Sequence, residues 1–166
     1  YNIASSAPFR RIAYNDAMER FGSDKPDLRI DLECRDVTEL VKDIDFAPFK
    51  DGEVKAVAVS GCTLTRKQID QICADTEVQS GVKPCWFRMD ENGELVGGVA
   101  KFMNEKKDEV VQTLGLVPNT LVGVSAGKRT QAQKTIGVMR NKLGAAVPGH
   151  MDKERYEFCW IVDFPM

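Results

Sequence analysis

The sequence has little that could bind a metal ion. It contains one histidine and five cysteines, and no two cysteines have the Cys-x-x-Cys spacing. A zinc site needs several thiolate or imidazole ligands that converge on one point, and this spacing indicates none. An odd number of cysteines in a chain without a secretion signal is typical of reduced thiols. We therefore expect a cytoplasmic protein without a metal site.

Long apolar stretches are also missing. No run approaches the roughly 20 apolar residues that a membrane helix needs, and segment 1–11 is too polar for a secretion signal. The chain has 43% hydrophobic residues, 29% charged residues and a net charge of −2, as a folded soluble domain does. Its 166 residues suffice for a core without disulfides. The lack of an initiator methionine is what a piece of a longer protein would show.

The middle of the chain is typical of an α+β domain. Apolar spacing, caps and turn residues predict, in chain order, a strand at 54–60, a helix at 65–80, a hairpin of 85–89 with 94–101, a helix at 104–114, a strand at 120–125 and a helix at 130–143. This order predicts a two-layer sandwich, in which a mostly antiparallel sheet carries helices on one face.

The two ends look like a different unit. A short helix is predicted at 14–21 with Gly22 as its stop, followed by a turn at 23–27 and a strand at 28–32. A last apolar strand is predicted at 157–164. In the turn, the short acids should bond nearby backbone amides rather than form a catalytic loop.

Two end segments resemble one known family. The first runs from Pro8 to Arg29 and reads PFRRIAYNDAMERFGSDKPDLR; the second runs from Phe158 to Met166 and reads FCWIVDFPM. They resemble the stretch of bacterial aspartyl-tRNA synthetases that follows class II motif 2, and the strand at which the catalytic domain of these enzymes resumes. Ala13 stands where the family usually has a threonine, so we expect a weaker helix start.

The resemblance implies a division of the chain into three parts. Residues 1–31 would be a stub of the class II catalytic domain, 32–155 a GAD-type insertion domain, and 156–166 the returning catalytic strand. A GAD-type domain also occurs in a subunit of the tRNA-dependent amidotransferases, which is the alternative identity. We expect the apolar side chains of the two stubs to pack on the sandwich or on a second copy, or the stubs to stay disordered.

The resemblance also implies what the parent protein does and what this chain lacks. The parent would be a homodimeric enzyme that attaches aspartate to tRNA with ATP and Mg²⁺. The family's motif 2 and motif 3 arginines, its acidic metal ligands and its His-His-Pro-Phe-Thr segment do not occur in this sequence. We therefore expect no catalytic, cofactor-binding or metal-binding residues here, and an inactive piece whose partners are the rest of the synthetase chain and tRNA.

One basic stretch favours contact with nucleic acid. No Asp or Glu occurs from Ser125 to Met151, while the stretch carries five candidate cations: Lys128, Arg129, Lys134, Arg140 and Lys142. On a helix these side chains avoid the apolar stripe, which predicts a uniformly positive outward face for tRNA phosphates. The alternatives are an ordinary solvated helix face and a purely structural insertion.

Three other features have simple structural interpretations. His150 lies in a Pro-Gly-His-Met loop and is expected to be exposed to solvent rather than to act as a general base. Gly97-Gly98 lies inside a predicted strand, which indicates a bulge or a close backbone approach rather than a phosphate loop. Asp163 is expected in a turn or a salt bridge.

Overall fold

The computed structural model of the chain describes residues 2–3, 10–50, 52–152, 155–156 and 159–165. Its strands are β1 (Asn2–Ile3), β2 (Arg10–Ala13), β3 (Arg35–Asp36), β4 (Glu53–Val59), β5 (Cys85–Met89), β6 (Leu95–Val96), β7 (Thr120–Gly127), β8 (Arg155–Tyr156) and β9 (Cys159–Val162). Its α-helices are α1 (Tyr14–Phe21), α2 (Thr38–Val41), α3 (Arg66–Ser80), α4 (Ala100–Met103), α5 (Lys107–Leu114) and α6 (Arg129–Ala146). None of the helices in this described part is long and apolar enough to span a membrane.

The central sheet has five strands in the order β3-β4-β7-β5-β6, and every neighbouring pair is antiparallel. The longest pairing joins β4 to β7, from Glu53 opposite Gly127 to Val59 opposite Leu121. The predicted α+β class with a mostly antiparallel sheet is therefore confirmed.

Helices cover both faces of this sheet, whereas the sequence predicted them on one face. The two long helices, α3 and α6, pack on one face, where Val57, Val59 and Leu121 meet Ile69 and Met139. The short helices α2, α4 and α5 cover the opposite face. On that face they contact alternate strand residues, such as Val54 and Val122. Successive side chains of a strand point to opposite faces, so β4 and β7 can be apolar along nearly their whole length.

Local signals place several helix ends where the sequence predicts them. The hydroxyl of Thr65 accepts a hydrogen bond from the backbone N–H of Gln68, and the Gln68 side chain accepts one from the backbone N–H of Thr65, which completes a capping box at α3. Ala13 gives α1 no side-chain cap. Gly22 and Gly115 end α1 and α5 in the left-handed conformation.

Two predicted strands are wrong in whole or in part. The second hairpin strand ends at Val96, and Lys101 lies in α4. Gly97 and Gly98 have φ of 74° and 51° and form a turn against Trp86. The predicted close backbone approach is therefore confirmed, but the two glycines lie in a turn and not inside a strand. In segment 28–32, an isolated bridge joins Ile30 to Met151 and no strand forms.

The flanking segments pack partly as expected. Strands β2 and β9 pair in parallel, and α1 lies against α6, which buries Phe21. Trp160 and Phe164 remain 58% and 53% exposed, so the expected burial within the chain holds for Phe21 and not for Trp160, whose packing on a second copy stays a prediction. Phe158 lies outside the described residues. The three-part division at residues 32 and 155 stays a prediction.

Candidate nucleic-acid interface

Helix α6 carries most of the predicted cations, and three sides of it have different surroundings. The predicted apolar stripe is confirmed, because Ala132, Ile136, Met139 and Leu143 are completely buried. Ile136, Met139 and Leu143 belong to the core cluster between the sheet and the two long helices. This stripe sets the rotation of α6 about its axis, so the positions of all other side chains on the helix follow from it.

A second buried stripe of α6 faces α1 and segment 27–32. It consists of residues spaced four, three and four apart: Gln133, Gly137, Arg140 and Gly144. A Cβ added at Gly137 would overlap the backbone of Gly22, and one at Gly144 would overlap the side chain of Ile30. The sequence held a signal for this stripe. Each glycine inside a helix costs about 1 kcal/mol relative to alanine, so two of them seven residues apart indicate close packing.

Arg140 lies at the centre of this second stripe, and its predicted role as an outward cation is wrong. Its side chain is completely buried. Its Nε donates to the carbonyl of Leu32 over 2.6 Å, and its Nη2 donates to the carbonyls of Ile30 and Asp27 over 2.9 and 3.1 Å. The guanidinium also lies 4.9 Å from the ring centroid of Phe21. Burial lowers the pKa of Arg140 from its usual value.

These bonds also explain why segment 28–32 does not form the predicted strand. Its carbonyls at Ile30 and Leu32 are occupied by the guanidinium rather than by the N–H groups of a neighbouring strand. Buried carbonyls need a donor, and Arg can supply several in one plane.

A buried lysine forms an ionic cluster near the start of α6. The amino group of Lys55 lies 2.9 Å from Glu19, 2.7 Å from Asp36 and 3.5 Å from Glu53, and its side chain is 1% exposed. Burial lowers the pKa of Lys55, but the hydrogen bonds and charges of Asp36 and Glu19 outweigh it and raise the pKa overall. Burial raises the pKa of Glu19, whereas hydrogen bonds from Lys55 and Gln133 bring it below its usual value.

Arg129 joins the edge of this cluster. Its guanidinium lies 3.6 Å from Glu19 and 3.8 Å from Glu53, with 63% of its side chain exposed. The predicted uniformly positive face is therefore wrong, because one of its cations is buried and another is paired with two carboxylates.

Three of the predicted cations remain available. The side chains of Lys128, Lys134 and Lys142 form no ion pair or hydrogen bond with any residue in the described ranges. Lys128 and Lys134 are exposed and Lys142 is half-buried. At 100° and 1.5 Å per residue, Lys134 and Lys142 are separated by about 80° around the helix and about 12 Å along it. The lysines therefore form a spaced row rather than one compact patch.

His150 is not the exposed residue that was expected. Its side chain is 13% exposed, with Nδ1 2.7 Å from Asp31 Oδ1 and Nε2 2.7 Å from the carbonyl oxygen of Ser60. The partner is the backbone of Ser60 and not its hydroxyl, so this is not a Ser-His-Asp arrangement. A nitrogen that donates to a carbonyl cannot act as a base.

The predicted turn at 23–27 is confirmed in part. Ser23 Oγ accepts from the backbone N–H of Lys25, and Asp27 Oδ1 accepts from the backbone N–H and the Nε of Arg29. Asp24 accepts no such bond from any residue in the described part of the chain. Asp163 follows β9 with φ of 59°, a left-handed conformation typical of turns.

Known sequences show a consistent relationship over nearly the whole chain. The family profile described as tRNA synthetases class II (D, K and N) matches residues 2–166. The chain belongs to the class II tRNA synthetase family. The aspartate–tRNA ligase of Streptococcus suis is 41% identical over 168 residues, and the match covers 99% of this chain. An aspartate–tRNA(Asp/Asn) ligase of Heliobacterium modesticaldum is 38% identical over 97% of the chain, as is an aspartate–tRNA ligase of Streptomyces coelicolor.

The chain spans only part of these class II synthetases. It corresponds to 28% of the length of the Streptococcus relative and 27% of the Heliobacterium relative. The expectation that this chain holds no ATP or Mg²⁺ site stays a prediction. No three His, Cys, Asp or Glu side chains gather as metal ligands in the described ranges. Trp86 packs directly against the Gly97-Gly98 turn.

Proposed function

We propose that this chain is the insertion-domain region of an aspartate–tRNA ligase, with a segment of catalytic domain at each end. The observation that carries this proposal is the similarity to aspartate–tRNA ligases, which extends over 97–99% of the chain and includes both end segments. The parent is then a cytoplasmic homodimer that attaches aspartate to tRNA with ATP and Mg²⁺. A GAD domain of an amidotransferase subunit is disfavoured because its ends have no reason to resemble a synthetase.

The region contributes support rather than chemistry in this proposal. Three basic side chains are already engaged within the chain: Lys55 with three carboxylates, Arg140 with three carbonyls, and His150 with Asp31 and Ser60. A catalytic group must reach a substrate, so these engaged side chains are suited to holding α1 and segment 27–32 against α6 and β4.

A chimeric enzyme tests the family role. The matching 28% of the Streptococcus suis relative is replaced by this chain. We expect a folded chimera that charges tRNA with aspartate, measured as aspartyl-tRNA formed per enzyme. A chimera that is soluble, has native-like circular dichroism and binds ATP, yet forms no aspartyl-tRNA, contradicts the proposed origin.

We further propose that the spaced row of Lys128, Lys134 and Lys142 contacts tRNA phosphates. These lysines have no acidic partner in the described part of the chain, and the stretch 125–151 contains no Asp or Glu. Ammonium groups of this kind add non-specific affinity by releasing counterions from the phosphate backbone. Arg140 is excluded from this set because it is buried.

Binding of tRNA across a salt series tests the lysine row. The variant changes Lys128, Lys134 and Lys142 to Ala, and the matched control changes the exposed lysines Lys50, Lys67 and Lys101 to Ala, so that both lose the same charge. We expect the slope of log K against log[salt] to fall by about one for each lysine that contacts a phosphate. Equal slopes for the two variants would assign the insertion a purely structural role.

A further inference from the structure

Two connecting segments run side by side where the α1 region joins the central sheet. Segment 29–32 leads out of the α1 region, and segment 149–152 returns towards it. The backbone N–H of Asp31 donates to the carbonyl of His150 over 3.0 Å, and that of Asp152 donates to the carbonyl of Arg29 over 3.3 Å. The side chain of His150 extends from this pair of connectors to Ser60, next to the end of β4.

The partners of His150 determine its protonation state in this arrangement. A backbone carbonyl only accepts hydrogen bonds, so Nε2 must carry a proton to bond Ser60 over 2.7 Å. An ionised carboxylate also only accepts, so Nδ1 must carry a proton to bond Asp31 over 2.7 Å. Both contacts are made together only by the imidazolium form.

We propose that His150 is a proton-operated lock, whose imidazolium ties the two connectors to the end of β4 and whose deprotonation releases one of these two contacts. The neutral ring has a single N–H, so it can donate to the Ser60 carbonyl or to Asp31 but not to both. The connectors would then be free to move relative to the sheet.

The surroundings of His150 favour its charged form. Asp31 supplies the facing negative charge, and Arg29 and Asp152 lie on the paired connectors. The adjoining cleft of about 340 Å³ is otherwise lined by uncharged residues, among them Ser60, Leu114 and Thr120. Burial lowers the pKa of His150, but the bonds to Ser60 and Asp31 and the charge of Asp31 raise it overall.

The sign of the pH dependence follows from this raised pKa. A histidine whose pKa is higher in the folded state stabilises that state fully below its unfolded value of about 6.5. The stabilisation is lost as the pH rises through the raised folded value. The lock is therefore closed in mildly acidic solution and opens towards alkaline pH.

Nuclear magnetic resonance of the whole chain tests the lock, since His150 is the single histidine of the sequence and its ring protons are unambiguous. We expect its titration midpoint to lie above 6.5. We also expect amide exchange of Asp31, corrected for the intrinsic effect of pH, to accelerate by about tenfold or more across that midpoint, as loss of one charge-assisted hydrogen bond requires. The amide of Val124 in β7 is the internal control.

The variant Asp31→Asn separates the lock from mere burial. An amide side chain can donate to a neutral Nδ1, so the variant should keep both contacts without a charge on the ring. We expect a lower titration midpoint and exchange at residue 31 that no longer depends on pH. The proposal is overturned if His150 titrates at or below 6.5 in the unmodified chain, or if the Asp31 and Val124 amides respond identically to pH.

Discussion

Replacing Arg140 by Met is the most demanding test of how α6 packs against segment 27–32. Met retains most of the apolar stem but removes the guanidinium, so the carbonyls of Leu32 and Ile30 lose their donor. The carbonyl of Asp27 loses one of its two donors and keeps the backbone N–H of Ile30. A buried acceptor left without a partner costs about 1–3 kcal/mol. Two of these bonds are fully buried, so their removal lowers the free energy of unfolding by about 2–6 kcal/mol. Part of this loss is offset because the variant no longer buries a charged group.

We therefore expect Arg140→Met to lower the free energy of unfolding by about 3 kcal/mol. Urea denaturation followed by tryptophan fluorescence and circular dichroism measures it. With a typical slope of about 1–3 kcal/mol per molar urea, the midpoint should fall by about 1–3 M at an unchanged slope.

The matched control is Lys134→Met on the exposed side of the same helix. It removes a cation from α6 without touching a carbonyl, and should change stability by no more than about 0.5 kcal/mol. If Arg140→Met is as stable as this control, the three carbonyls do not need the guanidinium and the docking role inferred for Arg140 is refuted.

Three further predictions concern buried positions. Gly137→Ala should destabilise the chain by about 1–3 kcal/mol in urea unfolding, because the added methyl group overlaps the backbone of Gly22 at the end of α1. This loss would occur although alanine normally favours a helix over glycine. The control Thr130→Ala, at an exposed position of the same helix, should leave the stability unchanged. Lys55→Met should raise the pKa of Glu19, which carboxyl ¹³C titrations measure. The lowered pKa of Glu19 stabilises the fold above its unfolded value, and this stability is lost as pH falls through the folded value; the variant should reduce it, with Gln133 and Arg129 left to favour the charged form. Burial raises the pKa of Cys34 to about 12, so iodoacetamide at pH 8 should alkylate this thiol only after unfolding. Mass spectrometry of the modified peptides measures the labelling, and alkylation of Cys34 in the folded chain would contradict the prediction.

Local signals predict the central elements well. The capping box of Thr65 and Gln68 starts α3, and Asn92-Gly93 marks the turn between β5 and β6. Both signals depend on residues within a few positions of each other, so they operate in any chain context. The strand predicted at 94–101 ends at Val96 because the glycine turn that follows is shaped by Trp86, which lies on another strand.

Helix α6 shows what the sequence by itself determined and what only the tertiary structure decided. Helical periodicity identifies the apolar stripe that packs on the sheet, and the absence of Asp and Glu from 125 to 151 identifies a cationic stretch. Periodicity says nothing about how many sides of a helix its neighbours will cover. Arg140 is buried because carbonyls from a segment about 110 residues earlier converge on it, and Arg129 is paired because Glu19 and Glu53 come close in space. Such long-range contacts decide which cations stay available to a partner.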